Sequence, residues 1–140
     1  MPSLRDIDVG SEIPALSRVV TAQDVKAYAD AGGDQNPLHQ DDGVARAAGF
    51  PGIVAHGMFT MGHLAASISR WAGGTDRVQR LTAQFRAPVF MGDEIVARAR
   101  VKAIDGDRGV AVIECWVTVE RHGQTEWPIK RGEAEVLLEP

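Results

Sequence analysis

Two hydrophobic periods divide the chain: apolar residues recur at helical spacing up to about residue 76 and alternate with polar ones from Arg77 onward. Residues Ile7 to Val20, broken by Gly10 and Pro14, read as an irregular lead-in to a short strand at Leu16-Ser-Arg-Val-Val. Thr21 followed by Asp24 forms a capping box, and Val20 and Val25 are spaced as a hydrophobic staple, so a helix is predicted from about Ala22 to Asp30. Val25, Tyr28 and Ala29 share a face, and Gly32-Gly33 supplies a left-handed stop. Asp41-Asp42 caps a short helix over Gly43 to Ala48, closed by Gly49, and Phe50-Pro51-Gly52 turns the chain, as a flap would. Val54 to Ala72, with its Gly-marked start at Ala55-His56-Gly57-Met58, is the longest predicted helix and stops at Gly73-Gly74. Its predicted stripe is Val54, Met58, Met61, Ala65, Ile68 and Trp71 or Ala72. The small residues Gly57, Gly62, Ala65 and Ala66 let a covering layer approach its backbone closely, as a sheet wrapped around a central helix requires.

Beyond Arg77, four strands are predicted: Val78 to Phe85 continued at Val89-Phe90 past Pro88, Glu94 to Ile104, Val110 to Glu120, and Thr125 to Leu138. Hairpins are predicted at Met91-Gly-Asp, Asp105-Gly-Asp-Arg-Gly109 and His122-Gly-Gln. Helices first and consecutive antiparallel strands afterwards indicate an α+β fold.

A chain of 140 residues is a single domain by length and can bury a real core. A net charge of -4, with Lys and Arg scattered, offers no footprint for nucleic acid or for an anionic membrane. One cysteine permits no disulfide and no Cys-based metal site within the chain, which fits a reducing, cytoplasmic location. The N-terminus lacks the basic start and apolar run of a signal peptide, and no stretch of eighteen apolar residues occurs.

Chemistry concentrates in Gly33-Asp34-Gln-Asn36-Pro37-Leu38-His39. Across a Pro-containing turn, the Asp34 carboxylate and His39 imidazole can face one water molecule, one taking a proton while the other gives one. Asn36, the only Asn of the chain, can orient the pair or a substrate amide. The same residues also make an ordinary Asx turn with an exposed His, which spacing alone does not exclude. His56-Gly57-Met58 opens the long helix, where unpaired N–H groups gather, so the Gly57 amide can polarise a carbonyl as oxyanion holes do. Gly57 could equally serve only helix–sheet packing. His56 and His63 share a helical face and raise a metal site with His39, but the i,i+4 spacing of helical zinc pairs is absent, so no metal is expected. Cys115 alternates with Ile113, Val117 and Val119 and belongs to a core face. Trp71, Trp116 and Trp127 are either core or the lining of an acyl tunnel. Ser67 and Ser69 lack the Gly-x-Ser-x-Gly context of a serine hydrolase.

Taken together, Tyr28, Gly33 to His39, Ala45, Ala55-His56-Gly57-Met58 and Phe85-Arg-Ala-Pro88-Val-Phe-Met-Gly92-Asp93 resemble the MaoC-like hydratase family over about residues 15 to 138. These are (R)-specific enoyl-thioester hydratases and 3-hydroxyacyl-thioester dehydratases of the hot dog fold. The resemblance implies one hot dog domain over residues 1–140 and a cofactor-free hydro-lyase acting on thioesters of CoA or acyl carrier protein. It implies that Asp34 and His39 hold the catalytic water, that Asn36 supports them, that the Gly57 N–H binds the thioester carbonyl, and that His56, Met58 and Phe50 contact substrate. It also implies a dimer, either homodimeric or with a second hot dog subunit; an open sheet edge is a physical reason for pairing too. Ala65 stands where some relatives place a Ser, which removes one hydroxyl contact to the dyad. A non-catalytic, tunnel-forming subunit and a hot dog thioesterase are the alternative readings; the first would be expected to lack the dyad, and the second would liberate a free thiol.

Overall fold

The computed structural model describes residues 1–140. Five antiparallel strands form one sheet: β1 (Glu12–Val19), β2 (Val78–Phe85), β3 (Glu94–Asp105), β4 (Val110–Arg121) and β5 (Gln124–Leu137), in the order β1-β3-β4-β5-β2. Between β1 and β2 run α1 (Ala22–Gly32), α2 (Asp42–Ala47) and the long α3 (Gly57–Ala72), with a 3-10 turn at Pro37–His39. α3 touches all five strands, so the sheet curves around it in the hot dog arrangement.

Alternation builds the core. Ile95, Ala97, Ala99 and Val101 of β3, Ile113, Cys115, Val117 and Val119 of β4, and Ile129, Ala134 and Val136 of β5 are buried together with Leu64, Ile68 and Ala72 of α3. Cys115 is 1% exposed, and burial pushes its thiol pKa up to about 12, as befits a packing residue rather than a nucleophile. At Gly132 a Cβ would stand 2.5 Å from the Cys115 carbonyl oxygen, so only glycine lets β5 lie this close to β4.

The helix boundaries follow their caps. Thr21 accepts the Asp24 N–H and Asp24 accepts the Thr21 N–H, and Gly33, with φ of 76°, ends α1 two residues later than expected. Two expectations are corrected. First, α3 begins at Gly57, because residues before it are extended: Val54 bridges Phe90, and the Ala55 N–H donates to the Val89 carbonyl at 2.7 Å. The buried face of α3 is accordingly Thr60, Leu64, Ser67, Ile68 and Ala72, and Met58 is 55% exposed. Secondly, Met91-Gly92-Asp93 is not a hairpin. β2 ends at Phe85 and pairs with β5, β3 pairs with β1, and the segment between them crosses from one side of the sheet to the other.

That crossing is clamped. Arg121 binds Asp93 at 2.6 Å and donates to the Pro88 carbonyl at 2.7 Å, its guanidinium 4.8 Å from the Phe90 ring centre, while Asp93 accepts the Phe90 N–H at 2.7 Å. Bonds between Val20 and Gly92 and between Val20 and Asp93 tie the same loop to the end of β1. Through the Ala55–Val89 bond this clamp sets the position from which α3 starts.

Candidate active site

Three pieces of chain converge at the N-terminus of α3. The left-handed Gly33 turns the chain out of α1, and the Asp34 carboxylate accepts the Asn36 N–H at 3.2 Å. The Asn36 side chain accepts the Leu38 N–H at 3.1 Å and so caps the 3-10 turn, whose Pro37 is pre-set for a first helical position. His39 closes that turn. Its Nδ1 lies 2.5 Å from the Val54 carbonyl oxygen, so Nδ1 carries hydrogen and donates, and Nε2 is left bare in the neutral ring. The bare Nε2 stands 3.8 Å from Asp34 Oδ2.

His56, which is 3% exposed, ties this loop to the helix start. Its Nε2–H donates to the Asp34 carbonyl oxygen at 3.0 Å, its ring stacks on His39 with centroids 3.8 Å apart, and Tyr28 leans on it at 4.9 Å. Next in sequence come Gly57 and Met58, whose N–H groups, at the first two helical positions, have no acceptor within α3. Phe85 of β2 covers Gly57, at 3.4 Å from where a Cβ would be. The resulting cleft, of about 360 Å³, is lined by Asp34, His39, His56, Gly57 and Met58 with Tyr28, Gly32 and Phe85.

Asp34, His39, His56, Gly57 and Met58 are thus brought to one cleft, and Asn36 stands behind it as the cap of the turn. Phe50 is a correction. Its N–H is bonded to the Ala45 carbonyl and its ring packs 6.3 Å from that of Phe90, so it braces the crossing loop and does not line the cleft. The three tryptophans share no tunnel: Trp71 borders Pro14 and Ala15, Trp116 lies under Arg100, and Trp127 under Lys130. Reasoning from side chains missed the Val54 carbonyl, which has no side-chain signal, and the Arg121–Asp93 clamp, which joins the end of β4 to the crossing loop over 28 residues of chain.

The ligand-capable atoms of Asp34, His39 and His56 lie within 4.8 Å of one another. The donor set nevertheless falls short of a metal centre. His56 spends Nε2 on the Asp34 carbonyl and has Nδ1 enclosed, and His39 spends Nδ1 on Val54. One carboxylate and one nitrogen remain, against the three protein ligands of catalytic zinc sites.

His63 is elsewhere, donating Nε2–H to the Leu16 carbonyl at 2.8 Å. Burial pushes its pKa below the ordinary 6.5, and Arg18 and Arg70 push it the same way, against the Leu16 bond. Between the lowered folded value and 6.5 the unfolded chain therefore binds more protons, so stability rises with pH. This contribution is complete above pH 6.5 and is lost as pH falls through the folded value. Urea midpoints measured from pH 7 down to pH 5 should fall less steeply in His63→Gln than in the unaltered protein, roughly the pH span over which an ordinary His titrates.

Residues 8–122 match the family model described as a MaoC like domain. A mitochondrial 3-hydroxyacyl-[acyl-carrier-protein] dehydratase from Arabidopsis thaliana is 33% identical over 122 residues, covering 87% of this chain and 72% of that protein. An (R)-specific enoyl-CoA hydratase from Aeromonas caviae is 31% identical over 114 residues, covering 79% of this chain and 83% of that protein. The solved structure of an (R)-hydratase from A. caviae superimposes with a TM-score of 0.85 at 27% identity, over 96% of this chain and 98% of that one. With the hot dog fold, the family model spanning most of the chain and these relatives, the chain belongs to the MaoC-like dehydratase family of hydro-lyases.

Proposed function

We propose that the protein catalyses the reversible (R)-specific addition of water to trans-2-enoyl thioesters of CoA or acyl carrier protein. The observation that carries this reading is the pair of acceptors, Asp34 Oδ2 and His39 Nε2, 3.8 Å apart on a cleft that Gly57, the first residue of α3, also lines. A water about 2.8 Å from both acceptors donates one hydrogen to each, leaving an oxygen lone pair free to attack.

In hydration the thioester carbonyl accepts the Gly57 N–H, where the positive end of the α3 dipole adds to the amide. The enolate charge that develops on that oxygen as water attacks C3 is stabilised there, and the π electrons of the double bond move toward C2. One dyad member takes a proton from the attacking water and passes it to C2 from the same face, which completes syn addition and returns that member to its starting state. Dehydration of the (R)-3-hydroxyacyl thioester is the same path reversed. Asn36 keeps the turn closed, and Met58 and the His56 ring wall the substrate. Nothing in this sequence of steps calls on a cofactor.

The assembly is a dimer in this reading, homodimeric or with a second hot dog subunit. β2 is an edge strand, and the exposed Phe85 and Met58 sit beside the cleft at that edge. No helix is long and apolar enough to cross a membrane. A cytoplasmic location accords with a single buried cysteine.

The test is loss of conjugated enoyl absorbance when the purified protein meets crotonyl-CoA, with chiral analysis of the product and the same assay on the crotonyl carrier-protein thioester. Hydration to the (R)-alcohol is expected. Release of free thiol without hydration would make the protein a thioesterase, and inactivity on both carriers unless a second hot dog subunit is added would make it half of a heterodimer.

A further inference from the structure

Two residues whose side chains lie outside the cleft set the spacing of the groups within it. Val54 donates its N–H to the Leu38 carbonyl at 3.0 Å and accepts the His39 Nδ1–H at its own carbonyl, so one residue of backbone grips the 3-10 turn twice. Ala55, next in the chain, donates to the Val89 carbonyl at 2.7 Å, and Val54 bridges Phe90. Gly57 follows two residues later as the first residue of α3. The acceptor of the His39 proton and the start of α3 are therefore held in register by a single short bridge to Val89 and Phe90. Ala55 and Val89 are both buried, so water does not compete for the bond between them.

That bridge stands on a segment with no strand of its own, residues 86–93 between β2 and β3. Arg121, the last residue of β4, gathers it. One guanidinium meets both Asp93 carboxylate oxygens, at 2.6 and 3.2 Å, the Pro88 carbonyl at 2.7 Å and the face of the Phe90 ring at 4.8 Å. Asp93 in turn accepts the Phe90 N–H at 2.7 Å. Pro88, Phe90 and Asp93, which flank and include the bridge, are thus tied through one largely buried ion pair. A lysine cannot replace that arrangement, because an ammonium group lacks the planar fork that reaches a carboxylate, a carbonyl and a ring face together. Arg121 lies outside the cleft, so any influence it has on the reaction passes through the bridge.

We infer that Arg121 is a positioning residue for the hydration: through the Pro88–Asp93 segment and the Val54–Ala55 bridge it keeps His39 in the tautomer with a bare Nε2 and keeps the Gly57 amide in register with that nitrogen. The inference rests on the hydratase reading and deepens it. A neutral imidazole carries its hydrogen on the nitrogen whose hydrogen bond is the better one. When the Val54 carbonyl drifts from Nδ1, the hydrogen moves to Nε2, where Asp34 Oδ2, 3.8 Å away, is the nearby acceptor. The proposed water then loses one of its two acceptors. Met58, Phe85 and the rest of the cleft wall are untouched by that exchange, so the loss falls on the chemical step and not on substrate binding.

Arg121→Lys is the direct test, because it keeps a positive charge beside Asp93 and removes only the fork. With crotonyl-CoA, well below the melting temperature of each variant, kcat and kcat/KM should fall together by roughly ten- to a hundredfold, the scale set by sub-ångström misplacement of reacting groups, while KM stays within about twofold. Asp93→Asn, which removes the other member of the ion pair and retains an oxygen for the Phe90 N–H, should do the same. Nitrogen-15 NMR of the His39 ring reads the positioning without turnover. At about pH 8.5, where an ordinary imidazole is neutral, the unaltered protein should show hydrogen on Nδ1 and both variants a mixture of the two tautomers. A general loss of stability would leave the tautomer of the folded protein as it was. A His39 spectrum unchanged in both variants, an unchanged kcat, or a loss confined to KM would overturn the inference. Failure of the unaltered protein to hydrate any enoyl thioester would instead remove the hydratase reading, with the tautomer ratio still deciding whether Arg121 positions His39.

Discussion

Asp34→Asn is expected to lower kcat for crotonyl-CoA hydration by roughly 10²- to 10⁴-fold, the range for losing a positioned proton-transfer group. The substitution isolates the chemistry. Asn retains a side-chain oxygen to accept the Asn36 N–H, so the turn that carries His39 should stay closed and the melting temperature should change little. What is lost is the carboxylate oxygen facing His39 Nε2 at 3.8 Å, and with it one of the two acceptors of the proposed water. His39→Ala should cost as much activity but also some stability, because the bond to the Val54 carbonyl disappears. Stopped-flow absorbance on both variants, with thermal melts alongside, separates the two effects. Activity in Asp34→Asn within a few-fold of the unaltered protein would show that the dyad is not the proton-transfer pair.

Gly57→Pro should be the next largest effect, about 10²- to 10³-fold in kcat, the loss measured when one oxyanion donor is removed. Proline has no N–H, yet position 57 is the first residue of α3, where proline is well tolerated. The preceding residue is already suited to it, since His56 has φ of -61° and ψ of 137°, the extended conformation that proline imposes on its predecessor. A Cβ at 57 would contact Phe85 at 3.4 Å, ordinary van der Waals contact. Gly57→Ala, which keeps the N–H and makes the same contact, is the control and should retain most of the activity. Equal losses in the two variants would mean that Phe85 and space, not the amide, govern position 57.

The local devices of the site were legible in the residues because they act over a few positions. The capping box at Thr21 and Asp24, the left-handed Gly33, the Asn36 cap and the pre-set Pro37 each operate within three or four residues, and each formed. Alternation from residue 78 onward likewise marked the buried faces of β3, β4 and β5, since side chains on a strand can face only two ways. Helical phase was harder. Met58, Met61 and Ala65 compete with Thr60, Leu64 and Ser67 as stripes, and the choice was made by where α3 begins, which the Ala55–Val89 bond sets from a different part of the chain.

The sequence by itself determined the α+β class, the core role of Cys115 and the grouping of Asp34, Asn36 and His39 on one capped turn, because these depend on contacts between near neighbours. Tertiary structure alone decided that β2 crosses to pair with β5, that Arg121 clamps Asp93, that Phe50 braces a loop instead of lining the cleft, and that the Val54 carbonyl fixes the His39 tautomer. Each of those joins groups separated along the chain by loops whose closure has no local signature. Their pairing is selected by the collective burial of the sheet around α3, which no short stretch of residues encodes.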